Sequence, residues 1–452
     1  MTIIHAAQAL LPEGWASEIR VAIAPDGRLA EAPAGAAPDH RTGLLLPAPG
    51  NLHSHAFQRA MAGLAERRGG AGQDSFWTWR QLMYRFLEAL GPDEVEAIAA
   101  QVQMEMLEAG FAAVGEVHYL HHQPGGAPSP RLSELADRIV AAAAETGIGL
   151  TLLPVLYSQG GCDGRPLGDG QRRFGNDTDR FSRLVEGAAG AMTTLGPDAV
   201  LGLAPHSLRA VSPDALAQIA EVGLGPLHMH LAEQEGEVSE AMSALGARPV
   251  EWLLDNAEVD ARWCLIHCTQ MRPHETARLA RTGAVAGLCP VTEANLGDGI
   301  FDGAGWRAAG GRFGVGSDSN LRISLSGELS ALEYSQRLRD RARAVLADPG
   351  QSTGRQLLEA AATGAAQALG RGRGAIAPGE WADLVALDTE ATALVGRNGD
   401  TALDTWIFAA GDGLVRDVWS AGRHVVRDGA HVARSRIEAR FREAMVRLGD
   451  AL

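Results

Sequence analysis

Two histidines one residue apart, His53 and His55, close a short apolar run, Leu44-Leu45-Leu46-Pro47-Ala48-Pro49-Gly50-Asn51-Leu52. In a strand, side chains i and i+2 project to one face, so this pair can hold one ion together. Neutral imidazole is the commonest metal ligand, and zinc accepts it readily. The same pattern recurs further along. His230 closes Leu227-His228-Met229-His230 and is followed three residues later by Glu233. His267 ends Cys264-Leu265-Ile266-His267, Asp318 ends Phe313-Gly314-Val315-Gly316-Ser317-Asp318, and His206 ends Leu201-Gly202-Leu203-Ala204-Pro205-His206. A single polar residue at a strand end is ordinarily a helix cap or a loop contact. Five strand ends bearing imidazole or carboxylate form a set suited to metal-assisted proton chemistry.

Such side chains need a scaffold that brings several strand ends to one place. Short apolar runs alternate with helical patterns, the signature of βα units and a parallel sheet. Eight strands are expected, at 44–52, 112–119, 149–156, 200–205, 226–232, 263–268, 284–289 and 312–317. Between them, Val95, Ile98, Val102 and Met106 recur at helical spacing before Gly110, and Leu132, Leu135 and Ile139 do so before Gly147. Eight such units predict an α/β fold, a (β/α)8 TIM barrel with its chemistry on the carboxyl ends of the strands. Both chain ends read instead as short alternating strands with Gly turns, such as Asp383 to Leu387 and Gly422 to Gly429. They are expected to meet in a small β-sandwich domain. The domains expected are therefore residues 1–46 and 374–452, the latter with a terminal helix, for the small domain, and 47–373 for the barrel. The Gly-, Arg- and Asp-rich stretch from Gly161 to Asp179 reads as a long loop and a candidate lid.

Composition sets limits on function. With 452 residues there is ample length for a large core and a second small domain, and 46% hydrophobic with 21% charged residues is an ordinary globular balance. A formal net charge of −15 argues against nucleic acid or an anionic membrane as a partner. No apolar stretch approaches the roughly 20 residues of a membrane helix. The residues from Met1 to Leu10 lack the features of a signal peptide, so the cytoplasm is the expected location. Cys162, Cys264, Cys268 and Cys289 fit neither a disulfide framework nor a zinc-knuckle spacing and are expected to be reduced and buried. The chain contains no lysine. That removes Schiff-base chemistry and any bridging carboxylated lysine.

An HxH after the first strand, HxxE after the fifth, His after the sixth and Asp after the eighth resemble the amidohydrolase superfamily of metal-dependent hydrolases and deaminases. The segment Ile376-Ala377-Pro378-Gly379-Glu380-Trp381-Ala382-Asp383-Leu384 is similar to the start of that superfamily's carboxyl-terminal β-domain. Two-metal members bridge their ions with a carboxylated lysine from the fourth strand; here that strand ends in Ala204-Pro205-His206, so one divalent ion, zinc, is expected. The runs from Pro49 to Gly63, from Phe76 to Arg80 and from Gly316 to Asn320 resemble, more closely, the formiminoglutamate deiminases of histidine degradation. That resemblance implies hydrolysis of N-formimino-L-glutamate to N-formyl-L-glutamate and ammonia by a metal-activated hydroxide. A homodimer is expected with it. The alternatives are a deaminase of a heterocycle such as guanine and, from another class, a non-catalytic barrel scaffold.

Carried onto this sequence, the resemblance implies His53, His55, His230 and Asp318 as metal ligands. His228 lies deeper on the same face as His230 and is expected to be a packed interior residue. Asp318 would accept a proton from water, Glu233 would carry protons to the leaving nitrogen, and His267 would orient the nucleophile or stabilise the tetrahedral centre. A small-molecule dicarboxylate calls for planar, permanently charged forks, and Arg80 and Arg209 are the candidates. Gln58, Tyr119 and His206 stand where they could add hydrogen bonds. His121 and His122 could reach the site through the second loop, whereas His5, His40, His274, His424 and His431 lie away from strand ends.

Overall fold

The computed structural model describes residues 1–66 and 76–451. The chain starts with β1 (Thr2–Leu11), β2 (Gly14–Ile23), β3 (Leu29–Glu31) and β4 (His40–Pro47). Nine further strands follow: β5 (Gly50–Ser54), β6 (Ala113–His118), β7 (Gly149–Leu156), β8 (Val200–Leu201), β9 (Ala204–Pro205), β10 (Leu227–Leu231), β11 (Trp263–His267), β12 (Val285–Leu288) and β13 (Arg312–Val315). The chain closes with β14 (Leu384–Leu387), β15 (Val415–Ser420), β16 (Arg423–Arg427), β17 (Ala430–His431) and the helix Arg434–Ala451.

The strands β5 to β13 form two parallel arcs, β5-β6-β7-β8 with β9 beside β7, and β10-β11-β12-β13. Parallel bridges join the arcs at both seams, Leu203 to Leu227 and Ser54 to Asp318. The second seam carries the hydrogen bonds Asp318 N–H to His53 O (2.9 Å) and His55 N–H to Asp318 O (3.0 Å). Helices cover the outside, so strands such as β7, β10 and β11 are buried along their whole length and are predominantly apolar. The helix Pro92–Glu108 begins with Pro at N1 and Asp93 and Glu94 in its first turn. The helix Glu134–Thr146 stops where Gly147 adopts φ 72°.

The two chain ends meet within one eight-stranded sheet of order β17-β16-β15-β14-β4-β1-β2-β3. Its central pairing, β4 against β14, joins the amino- and carboxyl-terminal parts antiparallel, Leu46 opposite Val385. The expected first barrel strand at 44–52 is in fact two strands. Leu44–Pro47 ends β4 in this sheet, and only Gly50–Ser54 belongs to the barrel. Pro47 and Pro49, which cannot donate to a ladder, flank the break. Arg371, almost wholly buried, fastens sheet to barrel: it donates to both carboxylate oxygens of Asp383 at 3.0 Å and to Asp198 Oδ2 at 3.2 Å. The four cysteines are free and buried. Among the described residues no helix is long and apolar enough to cross a membrane.

A candidate metal centre and its cleft

The carboxyl ends of the barrel strands converge on a cleft. At its floor lie the rings of His55, from the residue after β5, and of His230 from β10, with His53 of β5 buried below them. One ring nitrogen from each of the three lies within 4.8 Å of the others. His55 Nδ1 donates to the Val117 carbonyl at 2.8 Å, and His230 Nδ1 donates to the His206 carbonyl at 3.0 Å. A carbonyl can only accept, so both Nδ1 atoms carry the proton of a neutral ring and both Nε2 atoms present lone pairs. Those two Nε2 atoms face each other at 3.3 Å. Burial holds His55 and His230 below the usual imidazole range and His53 down to about 3, so none of the three answers the others by becoming a cation. The arrangement is that of ligands facing a shared cation.

Asp318 supplies the anion. Its Oδ1 lies 3.4 Å from His53 Nε2 and 3.5 Å from His55 Nε2. Bonds of 2.0–2.1 Å to a tetrahedral ion imply ligand separations of about 3.3–3.4 Å, which these distances match. Burial alone would raise the Asp318 carboxyl, but contact with His53 and the nearby His267 and His55 outweigh it and hold the group below the usual carboxylate range. Its position depends on backbone strain and on one glycine. Asp318 and Asn320 have φ of 45° and 53°, conformations costly to a residue with a side chain. At Gly316 a Cβ would lie 2.7 Å from the His53 backbone, so the HxH strand and the Asp318 turn could not approach so closely with any other residue. Asn51 pins the same turn from β5, donating to Ser317 Oγ at 2.6 Å and accepting from Ser317 N–H at 3.1 Å.

His267 stands in the opposite electrostatic environment. Burial pulls its pKa down, but Glu233, Glu293 and Asp318 outweigh that and hold it up to about 10. Its Nε2 lies 3.7 Å from Glu233 Oε1 and 3.9 Å from Asp318 Oδ2, and Nδ1 lies 3.3 Å from Glu293 Oε1. Glu233 is buried and raised above the usual carboxylate range, by burial first, even though His267 and Arg209 pull it down. The turn that aims it includes Ala232 at φ 52° and is held by Glu237, whose carboxylate accepts from the N–H groups of Ala232 (3.0 Å) and Glu233 (2.9 Å). The site thus holds a proton-bearing imidazole and two carboxylates pushed in opposite directions, the environment of acid–base groups. Cys289 also lies beside His267 and Asp318, and burial first, then Asp318, Glu293 and Glu328, push its thiol well up.

The walls carry the candidate substrate groups. Arg80 projects from the helix Phe76–Leu87, donating from Nη2 to the Tyr157 hydroxyl at 2.8 Å. Arg209, buried, has Nη2 at 3.8 Å from Glu233 Oε2. His206 stacks on His230 with ring centroids 4.6 Å apart, and burial, then Arg209 and Arg80, hold it neutral. Tyr119 packs against His55 and its hydroxyl accepts from Gln58 Nε2 at 2.8 Å. All ten of Gln58, Arg80, Tyr119, His206, Arg209, Glu233, His267, Asp318, His55 and His230 line the cleft, while His53 is buried below it. His228 is interior, with Nε2 on the Ala368 carbonyl at 2.7 Å. His121 and His122 do not reach the cleft; each is tied to a backbone carbonyl, of Val155 and Gly175, in the loop packing behind it. The stretch from Gly161 to Asp179 contributes buried Phe174 to the cleft wall, with Gln171 buried behind it. Sequence reasoning missed Tyr157, Met83, Tyr84, Phe174, Glu237 and Glu293. Only Tyr157 carried a usable signal, standing directly after a predicted strand as Tyr119 stands at the end of another. The side chains of Phe76 and Trp77 lie outside the described residues.

Comparison with known proteins identifies the family and the fold. The sequence profile of the amidohydrolase family matches residues 44–425, and that of the amino-terminal domain of formimidoylglutamate deiminase HutF matches residues 1–41. The chain is 49% identical over 456 residues to a formimidoylglutamate deiminase of Pseudomonas aeruginosa, covering 100% of both. The crystal structure of an amidohydrolase from Brucella melitensis superposes with a TM-score of 0.95 at 50% identity, covering 99% of this chain and 100% of the other. An adenosine deaminase from Xanthomonas campestris shares the fold, with a TM-score of 0.82 at 21% identity over 99% of this chain and 98% of its own.

Proposed function

This chain belongs to the amidohydrolase family, and from that membership and its site we propose that it hydrolyses N-formimino-L-glutamate to N-formyl-L-glutamate and ammonia, as a step of histidine degradation in the cytoplasm. We assign the metal position to His53, His55, His230 and Asp318, and propose a single divalent ion there, zinc. The facing lone pairs of His55 and His230 support the assignment, and the absence of lysine from the sequence supports a single ion. Such an ion supplies Lewis-acid activation of water, lowering its pKa from 15.7 to about 7.

The chain's own residues do the rest. Arg209, beside Glu233, pairs with the substrate carboxylate nearer the amidine, and Arg80 takes the farther one. Binding at both ends presents the formimino carbon to the floor of the cleft. Asp318 accepts a proton from the attacking water as oxygen bonds to that carbon. His267, held protonated, donates to the developing tetrahedral centre. Glu233, whose raised pKa lets it hold a proton and give it up, delivers that proton to the imine nitrogen. Glu233 then takes the proton of the new hydroxyl and passes it to the same nitrogen, so the C–N bond breaks with ammonia as the leaving group while the formyl carbonyl forms, and the proton held by Asp318 returns to Glu233 to reset the site.

The observation that carries this reading over a heterocycle deaminase is the pair of guanidinium groups in one cleft with the Glu233, His267 and Asp318 cluster. A purine or pyrimidine has no carboxylate for either. The test is ammonia release from N-formimino-L-glutamate beside guanine, cytosine and adenosine, with elemental analysis of the same sample. Turnover of the amidine alone, with close to one zinc per chain, is expected. Preferred turnover of a base would overturn the substrate reading, and two stoichiometric ions would overturn the single-metal assignment.

A further inference from the structure

Tyr157 follows β7 directly, is 2% exposed and is one of the residues lining the cleft. Two groups reach that hydroxyl, Arg80 Nη2 at 2.8 Å and Gln171 Nε2 at 2.9 Å. Both are donors. A guanidinium has no lone pair to offer. An amide could present either end, but Gln171 Oε1 is occupied elsewhere, accepting from Gly168 N–H at 2.8 Å, so the end facing Tyr157 is the NH2. The phenol oxygen thus accepts twice, which uses both of its lone pairs, and its own proton must point elsewhere. Among the described residues no acceptor takes it. The ring is fixed meanwhile by His206 (centroids 4.7 Å apart) on one side and Phe174 (5.6 Å) on the other.

A hydroxyl that two donors force to donate, held rigidly beside a guanidinium on a cleft wall, is suited to a carboxylate. We propose that the Tyr157 hydroxyl donates a hydrogen bond to the same substrate carboxylate that Arg80 pairs with, so that Tyr157 helps to set specificity for a dicarboxylate. This rests on the deiminase reading above. Arg80 and Tyr157 then act on one carboxylate from two directions, the guanidinium supplying charge and the phenol a fixed proton. Gln171 belongs to the same device, because its amide blocks the lone pair that would otherwise let Tyr157 rotate its proton away from the ligand. Gln171 therefore tunes the site through Tyr157, from outside the residues that line the cleft.

The test is Tyr157→Phe, which keeps the ring and its packing and removes only the hydroxyl. Rates of ammonia release are measured on N-formimino-L-glutamate and on its analogue amidated at the side-chain carboxylate, for the parent, Tyr157→Phe, Arg80→Ala and the double variant. Ammonia release by the parent establishes the underlying reading first; without it that reading fails, independently of Tyr157. Given that release, Tyr157→Phe is expected to lower kcat/KM on the dicarboxylate by about 10- to 100-fold, the loss falling on KM, as removal of a charge-assisted hydrogen bond made equally in ground and transition states should. On the amide the loss should stay below about threefold, which also shows that the variant is folded. In the Arg80→Ala background Tyr157→Phe should still cost several-fold. An equal loss on both substrates, or no loss on the dicarboxylate, overturns the proposal. No further loss in the Arg80→Ala background also overturns it, since Tyr157 would then act only by holding Arg80.

Discussion

Glu233→Gln isolates proton transfer from the rest of the site. The side chain is 4% exposed, so the substitution exchanges one buried group for another of the same size and exposes nothing new. Its carboxylate lies 3.7 Å from His267 Nε2 and 3.8 Å from Arg209 Nη2, and is not among the four groups assigned to the metal. Two consequences follow. The amide cannot carry a proton to the leaving nitrogen, a loss of about 10²- to 10⁴-fold for a positioned acid–base group, or roughly 2.7–5.4 kcal/mol at 1.36 kcal/mol per decade. Glu233 is also the foremost of the carboxylates holding His267 up to about 10, so His267 should give up its proton more readily in the variant, and the loss should sit toward the upper part of that range. Binding should move the other way. Arg209 loses an anionic neighbour and is left with more of its charge for the substrate, so KM should be unchanged or lower. The assay is steady-state ammonia release with metal content measured on the same preparation. A variant with full metal and kcat within threefold of the parent refutes the acid–base role, and a variant that loses its metal would make Glu233 a ligand instead.

The two arginines should separate charged from neutral substrates: Arg80→Ala or Arg209→Ala is expected to cost about 10- to 100-fold in kcat/KM on N-formimino-L-glutamate, with Lys recovering only part, and little on an analogue with both carboxylates amidated. Equal losses on both substrates would assign these residues to the fold. Stability should also carry a signature of Glu116, whose carboxyl burial pushes up to about 7 despite hydrogen bonds from Ala56 N–H and Ser54. The folded state then binds this proton more tightly than the unfolded chain does, so its stabilising contribution is complete below the unfolded value near 4.3 and is lost as pH rises through 7, about 3–4 kcal/mol in all. Denaturant unfolding of the parent and of Glu116→Gln at pH 5 and pH 8 checks this: the variant should lose less stability across the interval, and identical slopes would refute it.

What the sequence made legible follows from the geometry of a parallel barrel. Reacting groups stand where a buried strand ends, so an apolar run stopping at His, Glu or Asp is visible without coordinates, and the ten cleft-lining candidates were found in this way or through the family resemblance. The same signal fails where burial is continuous. Leu44 to Leu52 reads as one strand because the end of β4 and the start of β5 carry only one polar side chain between them, Asn51, and only the prolines at 47 and 49 mark the break. Glu237, Glu293 and Gln171 were illegible because each acts on a neighbour brought close by the fold, and a lone Glu or Gln in a helix or loop looks solvated. His118 shows what the strand-end rule lacks. It closes β6 as His267 closes β11, yet its ring packs against His121 with centroids 5.2 Å apart, and it is the next residue, Tyr119, that enters the cleft. Successive side chains of a strand face opposite ways, so position at a strand end gives the depth of a residue in the barrel while its parity decides whether it meets the substrate or the surrounding helices. Parity can be read only against a neighbour already known to face inward. The HxH pair supplies one for β5, but the pairing with β6 shifts register between Asn51 and Ser54, so that Ser54 and not His53 stands opposite Glu116, and it is this shift, invisible in the sequence, that turns Tyr119 rather than His118 to the face of the HxH pair.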